Sequence, residues 1–292
     1  MINEYGNVKL VLNESNLGFA KACNQGTEIS GGRYIVYLNY DTEVEEDWLE
    51  KLIDAAKDPQ VGACMSKLLV LGSNPPIINS SGGVTHYIGL SWSGDYKKID
   101  NGAFNEIKEV AFASGAAMLV KREVIEEVGT FDEDYYMYLE DTDLSWRIRL
   151  AGYKVIFVPD SVVWHKYEFS KGKQKFFFLE RNRLVMMITN LERRTKLLLI
   201  PPAILFELSM IAASIFGGWG RLKMRSYIEV IGARSRLKEK KLRVAGLRKV
   251  SDRVIVSMFT DKIDFPGINN GAISIINVLF RLYWKMIQRL IR

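Results

Sequence analysis

Apolar and polar positions alternate along the first 160 residues in a pattern that predicts strands and helices in turn. Strands are predicted at short apolar or alternating runs, over residues 8–12, 34–38, 62–70 and 153–158, the last stopped by Pro159. Helices are predicted where apolar residues recur every three or four positions, over 18–28, 47–57, 121–128 with Gly129 as cap, and 141–151 ended by Gly152. This alternation indicates an α/β domain.

Two stretches of this region differ in character. Residues 34–38, Tyr-Ile-Val-Tyr-Leu, form a nearly continuous apolar run, which predicts a central strand buried on both faces. Residues 72–109 are rich in Gly, Ser and Asn, which indicates loops and small strands whose order the pattern leaves open. No repeat with a period of 20–50 residues is present, so the sequence does not predict a solenoid or a propeller.

Composition narrows the class of protein. The 292 residues are 48% hydrophobic and 25% charged, which excludes wholesale disorder and collagen-like repeats. Cys23 and Cys64 lack ligand spacing, so neither a disulfide scaffold nor a cysteine zinc site is expected. The two histidines, His86 and His165, are too few for a histidine-rich metal centre. The polar opening residues contain no secretory signal, and with the low cysteine content they favour a cytosolic body.

Charge is distributed unevenly. Residues 221–292 hold 17 Lys and Arg against 5 Asp and Glu, a net charge of +12, whereas residues 1–220 have a net charge of −6. A basic tail on an acidic body indicates contact with an anionic surface, for which nucleic acid and anionic lipid are the candidates. The alternative is a solvated helical surface without a partner.

Residues 197–219 are mostly apolar, and as a helix they would be about 34 Å long, enough to cross a bilayer. Pro201, Pro202 and the central Glu207 argue against a simple span, because an acid near mid-membrane costs about 2.5–3.5 kcal/mol. A span would also put the basic tail across the membrane from a cytosolic body, against the positive-inside tendency. An interfacial or re-entrant segment that keeps Glu207 wet is therefore favoured over a single span or a buried soluble helix.

Residues 273–292 strengthen the membrane interpretation. Their apolar positions alternate with Arg281, Lys285, Arg289 and Arg292, and Tyr283 and Trp284 form an aromatic girdle. This is the pattern of a basic amphipathic helix at a lipid surface. Since no nucleic-acid-binding motif accompanies the charge, we predict a membrane partner and no nucleic acid.

Candidate chemistry begins with the acids after the apolar strand. Asp41 and Glu43 follow residues 34–38, and ligands of open parallel sheets bind at the carboxyl ends of strands. Two carboxylates on a turn can share Mg²⁺ or Mn²⁺, which often bridges to substrate phosphates. Alternatively, Asp41, Glu43 and the acids at 45–47 only cap the next helix.

A second acidic cluster lies at the start of a predicted helix. Glu140, Asp141 and Asp143 follow an aromatic run, and acids this close raise one another's pKa, which suits a general base. The helix dipole acts in the opposite direction, and simple N-terminal capping is the alternative. His165 stands alone at a strand end, so it is a metal ligand only if the acidic clusters are functional.

Considered together and in their order along the chain, these motifs point to one protein family. The chain is similar to family 2 glycosyltransferases, most closely to the rhamnosyltransferase-like branch, and the resemblance runs from about residue 8 to residue 190. It rests on seven short motifs, at residues 16–20, 39–44, 114–122, 129–133, 138–144, 147–153 and 158–165. The tail segments 181–184 and 248–252 also resemble the C-terminal extension of that branch.

The resemblance implies a GT-A fold, a Rossmann-like nucleotide-diphospho-sugar transferase domain, followed by a mainly helical and basic C-terminal region. It implies inverting transfer from a nucleotide-sugar donor with a divalent cation, Mg²⁺ or Mn²⁺, held by Asp41, Glu43 and His165. Asp141 matches the base that deprotonates the acceptor hydroxyl, and Glu140 flanks it. Donor binding is assigned to four residues: Asn16, Gly18, Asn24 and Asp41.

We therefore expect a catalytic domain over residues 1–180 and a membrane-associating region over residues 181–292. The expected reaction moves rhamnose or another hexose to a lipid-linked or polysaccharide acceptor at the cytosolic face of the membrane. Family members normally open with a strand and helix ahead of the equivalent of residues 8–12, so an N-terminally truncated domain is expected. The alternative function is a non-catalytic relative that binds a membrane or a partner glycosyltransferase.

Overall fold

A computed structural model describes residues 8–166, 172–265 and 271–291. Ten strands lie in these ranges, nine of them within the first 165 residues. They are β1 (Tyr34–Leu38), β2 (Thr42–Val44), β3 (Val61–Val70), β4 (Ile78–Ser80), β5 (Gly83–His86), β6 (Ser91–Ser93), β7 (Lys108–Glu109), β8 (Ala117–Lys121), β9 (Lys154–His165) and β10 (Phe259–Thr260).

Helices alternate with these strands at first and then dominate the chain. They are α1 (Phe19–Ile29), α2 (Trp48–Ala56), α3 (Arg122–Val128), α4 (Glu140–Leu150), α5 (Gln174–Asn190), α6 (Arg193–Phe216), α7 (Gly220–Gly232), α8 (Arg234–Leu247), α9 (Arg253–Val256) and α10 (Gly271–Ile287). The α/β domain with a helical C-terminal region is thus confirmed. The predicted division at residue 180 stays a prediction.

The main sheet is mixed and has the path β1-β8-β3-β9-β2, with β4 beside β3 and β7 beside β9. The long strands β3 and β9 pair in parallel, and β8 runs antiparallel to both β1 and β3. A second small sheet, β10-β5-β6, joins the C-terminal region to the first part of the chain. The helices predicted around residues 18–28, 47–57, 121–128 and 141–151 form, and Gly129 and Gly152 follow two of them with positive φ.

The predicted strand over residues 8–12 is wrong. This segment lies outside every sheet of the described residues, and its apolar side chains are exposed, Leu12 by 83%. A strand needs a hydrogen-bonded neighbour, and here the segment pairs with none. The periodicity of a short run therefore did not suffice to predict a strand.

The prediction of a central position for β1 is also wrong, because β1 pairs only with β8 and forms an edge of the described sheet. The apolar run has another cause. Ile35 and Tyr37 pack into the main core on one face, whereas Tyr34 and Val36 pack against the α2 side on the other. Burial of both faces requires apolar residues at every position, whether or not a strand is central.

The predicted stop at Pro159 is wrong as well. Strand β9 continues to His165, and its register against β3 shifts, since Ser66 pairs with Val158 but Lys67 pairs with Val162. Residues 159–161 therefore form a bulge, where proline is tolerated because no ladder hydrogen bond is required of it. Because the strand continues past this bulge, it both packs into the core and carries His165 at its far end.

The C-terminal helices pack on α4. Trp146 and Leu150 of α4 share a core with Val185 and Met186 of α5 and with residues of α6 and α10. Arg147 of α4 is buried and donates to the carbonyls of residues 128–130, so α4 is fixed on both sides. The helical region therefore supports the helix that begins with the acidic cluster.

A buried ionic cluster joins α5, α6 and α7. Arg183 and Lys223, both fully buried, each contact the two carboxylates Glu180 and Glu207, and the Tyr227 hydroxyl donates to Glu207. Burial alone would raise the pKa of Glu207, but Arg183 and the hydrogen bonds from Lys223 and Tyr227 lower it to about 2. Glu207 is thus paired within the protein rather than simply hydrated, contrary to the expectation from sequence.

Candidate active site

The turn after β1 places Asp41 beside the end of β9. The Thr42 hydroxyl donates to the Asn39 carbonyl at 2.6 Å, and β2 then pairs antiparallel with β9 so that Thr42 lies opposite His165. This pairing brings Asp41 Oδ1 to 3.3 Å from His165 Nε2. Two residues that are 124 positions apart in sequence thus lie together, and their role as metal ligands stays a prediction.

Asn79 of β4 completes this group. Its Oδ1 lies 3.0 Å from His165 Nδ1, and both side chains are buried. With Nδ1–H donating to Asn79, Nε2 presents a lone pair toward the Asp41 carboxylate. Burial lowers the pKa of His165, an effect that Asp41 only partly offsets, so the imidazole is neutral at pH 7.

A divalent cation fits this donor set. Asp41 Oδ1 is buried and has no hydrogen-bond partner among the described residues, and it lies 3.3 Å from His165 Nε2, which in this tautomer is an acceptor and which also lies 3.5 Å from the Asn39 amide nitrogen. Two acceptors that face each other are satisfied by a cation between them, and Mn²⁺ accepts both carboxylate and imidazole ligands. The described residues contain no cluster of three or more His, Cys, Asp and Glu, but Mg²⁺-type sites often use one or two protein ligands plus substrate phosphates.

Glu43 does not join this pair. It lies opposite Trp164 in the β2–β9 ladder, one position from the Thr42–His165 pair, and it is exposed. Successive side chains of a strand point to opposite faces, so Glu43 is directed away from His165. A metal-binding role for Glu43 stays a prediction, and it finds no geometric support here.

The second acidic cluster opens α4. Asp141 Oδ2 accepts the Gly115 backbone N–H at 3.2 Å, and Oδ1 accepts the backbone N–H and hydroxyl of Thr142 at 2.7 and 3.3 Å. Burial raises the pKa of Asp141, and these donors only partly counter the rise. A positioned carboxylate with a raised pKa is a stronger base than an ordinary surface aspartate.

Glu140 is buried beside Asp141, and its Oε2 has no hydrogen-bond partner among the residues that the structure describes. Burial, followed by the charges of Asp141 and Asp143, raises the pKa of Glu140 well above its usual value. Asp143 is instead part of the framework, since it pairs with Arg147 at 2.8 Å and accepts from Tyr135 and Asn190. Of these carboxyl groups, Glu140 thus lies in the environment that most strongly raises the pKa.

The two clusters meet at the turn before β8. The Asn39 backbone N–H donates to the Ala116 carbonyl at 3.0 Å, next to the Gly115 N–H that holds Asp141. Gly115 itself allows close packing, because a Cβ there would lie 3.0 Å from the Phe19 ring. The turn at residues 114–116 thus borders both the Asp41 turn and Asp141.

Among the predicted donor-side residues, Asn16 and Gly18 form one feature. The Asn16 side chain accepts the Gly18 N–H at 2.9 Å, and Gly18 has φ of 85°. A Cβ at Gly18 would lie 2.5 Å from the Tyr136 ring, so only glycine fits. Asn24 is different, because its amide bridges to the backbone of Phe131 at 2.9 and 3.1 Å, which occupies both ends of the side chain. Donor binding by all three residues stays a prediction.

Known proteins resemble this chain in sequence and fold. Residues 1–129 match the family model described as Glycosyl transferase family 2. The N-acetylglucosaminyl-diphospho-decaprenol L-rhamnosyltransferase of Mycobacterium tuberculosis is 28% identical over 198 residues, which cover 59% of this chain and 63% of that protein. The poly-beta-1,6-N-acetyl-D-glucosamine synthase of Staphylococcus aureus is 32% identical over 157 residues, which cover 52% of this chain and 34% of that protein.

The chain therefore spans less than two thirds of the length of these relatives. Among solved structures, GalNAc-T7 with UDP, GalNAc and Mn²⁺ matches with a TM-score of 0.51 and 20% identity, over 63% of this chain and 36% of the other. That likeness supports the GT-A fold. The family match reaches Asp41 but ends before Asp141 and His165, so the geometry described above is the evidence for those two residues.

Proposed function

The chain belongs to glycosyl transferase family 2, and from that premise we propose that it moves a sugar from a nucleotide-sugar donor to a lipid-linked or polysaccharide acceptor. The observation that supports this most directly is the turn at residues 114–116, which holds Asp141 through Gly115 and contacts Asn39, two residues before the Asp41 that pairs with His165. A metal-binding pair and a base at one end of a GT-A sheet are the two parts that such a transfer requires.

Asp41 and His165 hold the divalent cation of this proposal, Mn²⁺ or Mg²⁺, with Asp41 also on the donor side. When bound, the cation neutralises charge on the departing nucleoside diphosphate. His165 is neutral and fixed by Asn79, so it binds without having to lose a proton or turn. The donor phosphates would supply further ligands, as in sites that hold a cation with only one or two protein groups.

Asp141 is the general base. Its carboxylate takes the proton of the acceptor hydroxyl while that oxygen bonds to the anomeric carbon and the bond from this carbon to the diphosphate breaks. A single displacement of this kind inverts the anomeric configuration. Gly115 and Thr142 hold the carboxylate in one orientation, and burial with the charge of Asp141 raises the pKa of the neighbouring Glu140, which disfavours a second negative charge beside the base.

The names of the relatives suggest the acceptor class. One acts on N-acetylglucosaminyl-diphospho-decaprenol, a lipid-linked sugar, and the other synthesises a polysaccharide. For this chain we propose a lipid-linked or polysaccharide acceptor and rhamnose or another hexose as the sugar.

The experiment is a thermal-shift series with UDP, dTDP and GDP, each with Mn²⁺ and then with EDTA. We expect one nucleotide to stabilise the protein in the presence of Mn²⁺ only. Asp41→Asn should abolish this shift, whereas Asp160→Asn, at an exposed aspartate of the β9 bulge, should retain it. No shift with any nucleotide would overturn the proposal in favour of a non-catalytic relative.

A membrane surface is the second part of the proposal. Of the described helices, only α6 is long and apolar enough to cross a bilayer. It carries Pro201 and Pro202 in its interior and Glu207 in the ionic cluster, so we propose that it lies at the interface. Exposed apolar side chains of α6, of α10 and of the 3₁₀ turn that follows it (Gln288–Leu290) form what we call the α6–α10 surface: Leu197, Ile200, Ile204, Leu205, Leu208, Ile215, Phe216, Ile275, Val278, Leu279, Leu282, Met286 and Leu290.

The packing of helix α10 supports the proposal that this surface faces lipid. Its other face is buried at Phe280, Trp284 and Ile287, and Tyr283 anchors it by donating to the Leu198 carbonyl of α6 at 2.7 Å. The exposed apolar face therefore remains after packing is complete, and Arg281, Lys285 and Arg289 border it. Apolar side chains beside basic ones match the anionic cytosolic leaflet, where we place the protein.

A further inference from the structure

The segment that leads into the catalytic helix has an unusual backbone. Tyr136, Tyr138 and Leu139 have φ of 63°, 68° and 66°, and none of them is glycine. Such residues occupy this region only where the surroundings hold them, and bulky side chains do so least readily. Since Leu139 immediately precedes α4, the course of this segment sets where Glu140 and Asp141 begin.

One side chain of α5 holds this segment. The Asn182 amide nitrogen lies 3.0, 2.9 and 2.7 Å from the carbonyl oxygens of Tyr135, Met137 and Tyr138. Asn182 is 1% exposed, and its own oxygen accepts from Arg181 Nε at 2.9 Å, which fixes the orientation of the amide. Two N–H bonds thus serve three carbonyls on the turn that leads to α4.

Arg181 adds to the same contact from the neighbouring position. Its guanidinium donates to the carbonyls of Asp134 and Tyr135 at 2.6 and 2.9 Å. The other side of the segment packs on the first helix, because the Tyr136 carbonyl accepts the Ala20 N–H and the Tyr136 ring fills the space above Gly18. The segment is therefore held between α1 and α5.

From these contacts we infer that Asn182 is a positioning residue for the transfer reaction, acting through the 135–139 segment on Asp141. The inference rests on the proposed function, in which Asp141 is the base. It gives the helical C-terminal region a part in building the active site, in addition to any contact with the membrane. Asn182 itself does not touch the substrate in this scheme.

The first test needs no turnover. In hydrogen–deuterium exchange of the full chain, Asn182→Ala should increase exchange of the peptide over 134–141, with β3 and β8 unchanged. Asn190→Ala is the matched control, since it removes another buried amide of α5 that contacts Asp143 but none of these carbonyls. If exchange over 134–141 is the same in Asn182→Ala and wild type, the inference is wrong, whatever the enzyme does.

The second test measures nucleoside diphosphate release with the donor identified by thermal shift. Asn182→Ala should lower kcat about 10- to 100-fold while leaving the affinity for Mn²⁺ alone unchanged, because Asp41 and His165 lie on other elements. Asn190→Ala should lose about as much Tm as Asn182→Ala does, but it should keep kcat within about threefold of wild type. Equal losses of kcat in the two variants would mean a general structural role and overturn the inference.

A double-mutant cycle separates this inference from the proposed function. If Asn182 acts through the base, Asn182→Ala should lower kcat little further in an Asp141→Asn background. A full additional loss would show that Asn182 acts independently of Asp141 and would overturn the positioning role. Wild-type turnover in Asp141→Asn alone would instead overturn the proposed function, and the exchange experiment would still decide whether Asn182 holds the segment.

Discussion

Gly115 donates its backbone N–H to Asp141 Oδ2 at 3.2 Å, so a glycine in the turn before β8 holds the candidate base. The adjacent residue, Ala116, accepts the N–H of Asn39 in the turn that presents Asp41. One short turn therefore contacts both Asp141 and the turn that carries Asp41. The Asn39–Ala116 contact joins two backbone atoms, whereas the Gly115 contact holds the side chain of Asp141 in its rotamer.

This relationship gives Asp141 a defined test. We expect Asp141→Asn to lower kcat about 10²- to 10⁴-fold, because an amide cannot take the proton from the hydroxyl of the sugar acceptor. Nucleotide binding with Mn²⁺ should be retained, since Asp41 and His165 are untouched and the amide can still accept from Gly115. Nucleoside diphosphate release measures the first quantity and thermal shift the second, which also shows that the variant is folded. Undiminished turnover would mean that another group is the base.

Asn79 offers a test of the metal site without turnover. Asn79→Leu removes the acceptor for His165 Nδ1, and loss of such an outer partner typically costs about 10- to 100-fold in metal affinity. Free Mn²⁺ measured by electron paramagnetic resonance should show that loss, and Asn79→Asp, which keeps an acceptor, should lose less. Ser80→Ala, at the next buried residue of β4, is the control and should bind Mn²⁺ like wild type. Unchanged affinity in Asn79→Leu would exclude His165 as an oriented ligand.

The ionic cluster predicts a particular dependence of stability on pH. The pKa of Glu207 is about 2 in the folded protein, against the ordinary value of 4.5 that applies to the unfolded chain. A depressed pKa stabilises the fold fully above about pH 5, and this contribution is lost as pH falls through 4.5 toward 2. The shift corresponds to about 3 kcal/mol, because one pKa unit is about 1.4 kcal/mol. We therefore expect the free energy of unfolding, measured with urea at pH 6 and near pH 2, to fall on acidification by about 3 kcal/mol more in wild type than in Glu207→Gln.

At neutral pH the same substitution should destabilise the protein. Glu207→Gln leaves the buried Arg183 and Lys223 with one carboxylate, Glu180, and removing one partner of a buried ion pair costs about 3–5 kcal/mol. Glu239→Gln, at an exposed position of α8, is the control and should change the free energy of unfolding by less than about 0.5 kcal/mol. Equal pH profiles for wild type and Glu207→Gln would contradict a paired Glu207.

Some residues of this site could be predicted from the sequence and others could not, and the reasons are physical. Asp41 and Asp141 could be found because acids after a strand and at a helix start are local patterns. The pairing of Asp41 with His165 needed the order of motifs, since the β9 bulge that carries the chain past Pro159 has no local signal. Asn79 lies in a stretch where strands of three or four residues are too short for periodicity to register.

Asn182 was missed for a different reason. Within α5 it is a polar residue of an ordinary helical pattern, and only the contact with a segment some 45 positions earlier gives it a role. The positive φ angles of Tyr136, Tyr138 and Leu139 likewise have no signature in these residue types. Tertiary packing holds them, and packing between distant segments is what a single sequence does not show.

The α6–α10 surface predicts binding to anionic vesicles. The triple variant Arg281→Gln, Lys285→Gln, Arg289→Gln should bind phosphatidylglycerol-containing vesicles roughly 100-fold more weakly, at about 1 kcal/mol for each basic residue near the surface. Leu282→Glu with Met286→Glu should also release the protein, because it puts charge on the exposed apolar face of α10. Co-sedimentation with vesicles measures both, and phosphatidylcholine alone should bind wild type weakly.

The control removes the same charge elsewhere. Lys238→Gln, Lys241→Gln and Arg243→Gln lie on α8, where they are exposed and outside the α6–α10 surface. If net charge alone governed binding, this triple variant would weaken it as much as the α10 variant does. A local surface instead predicts a small effect from α8, because electrostatic attraction to lipid falls off within about 10 Å at 0.1 M salt. Equal effects would contradict α10 as the contact, and retention of the Leu282→Glu, Met286→Glu variant on vesicles would contradict the apolar part of the surface.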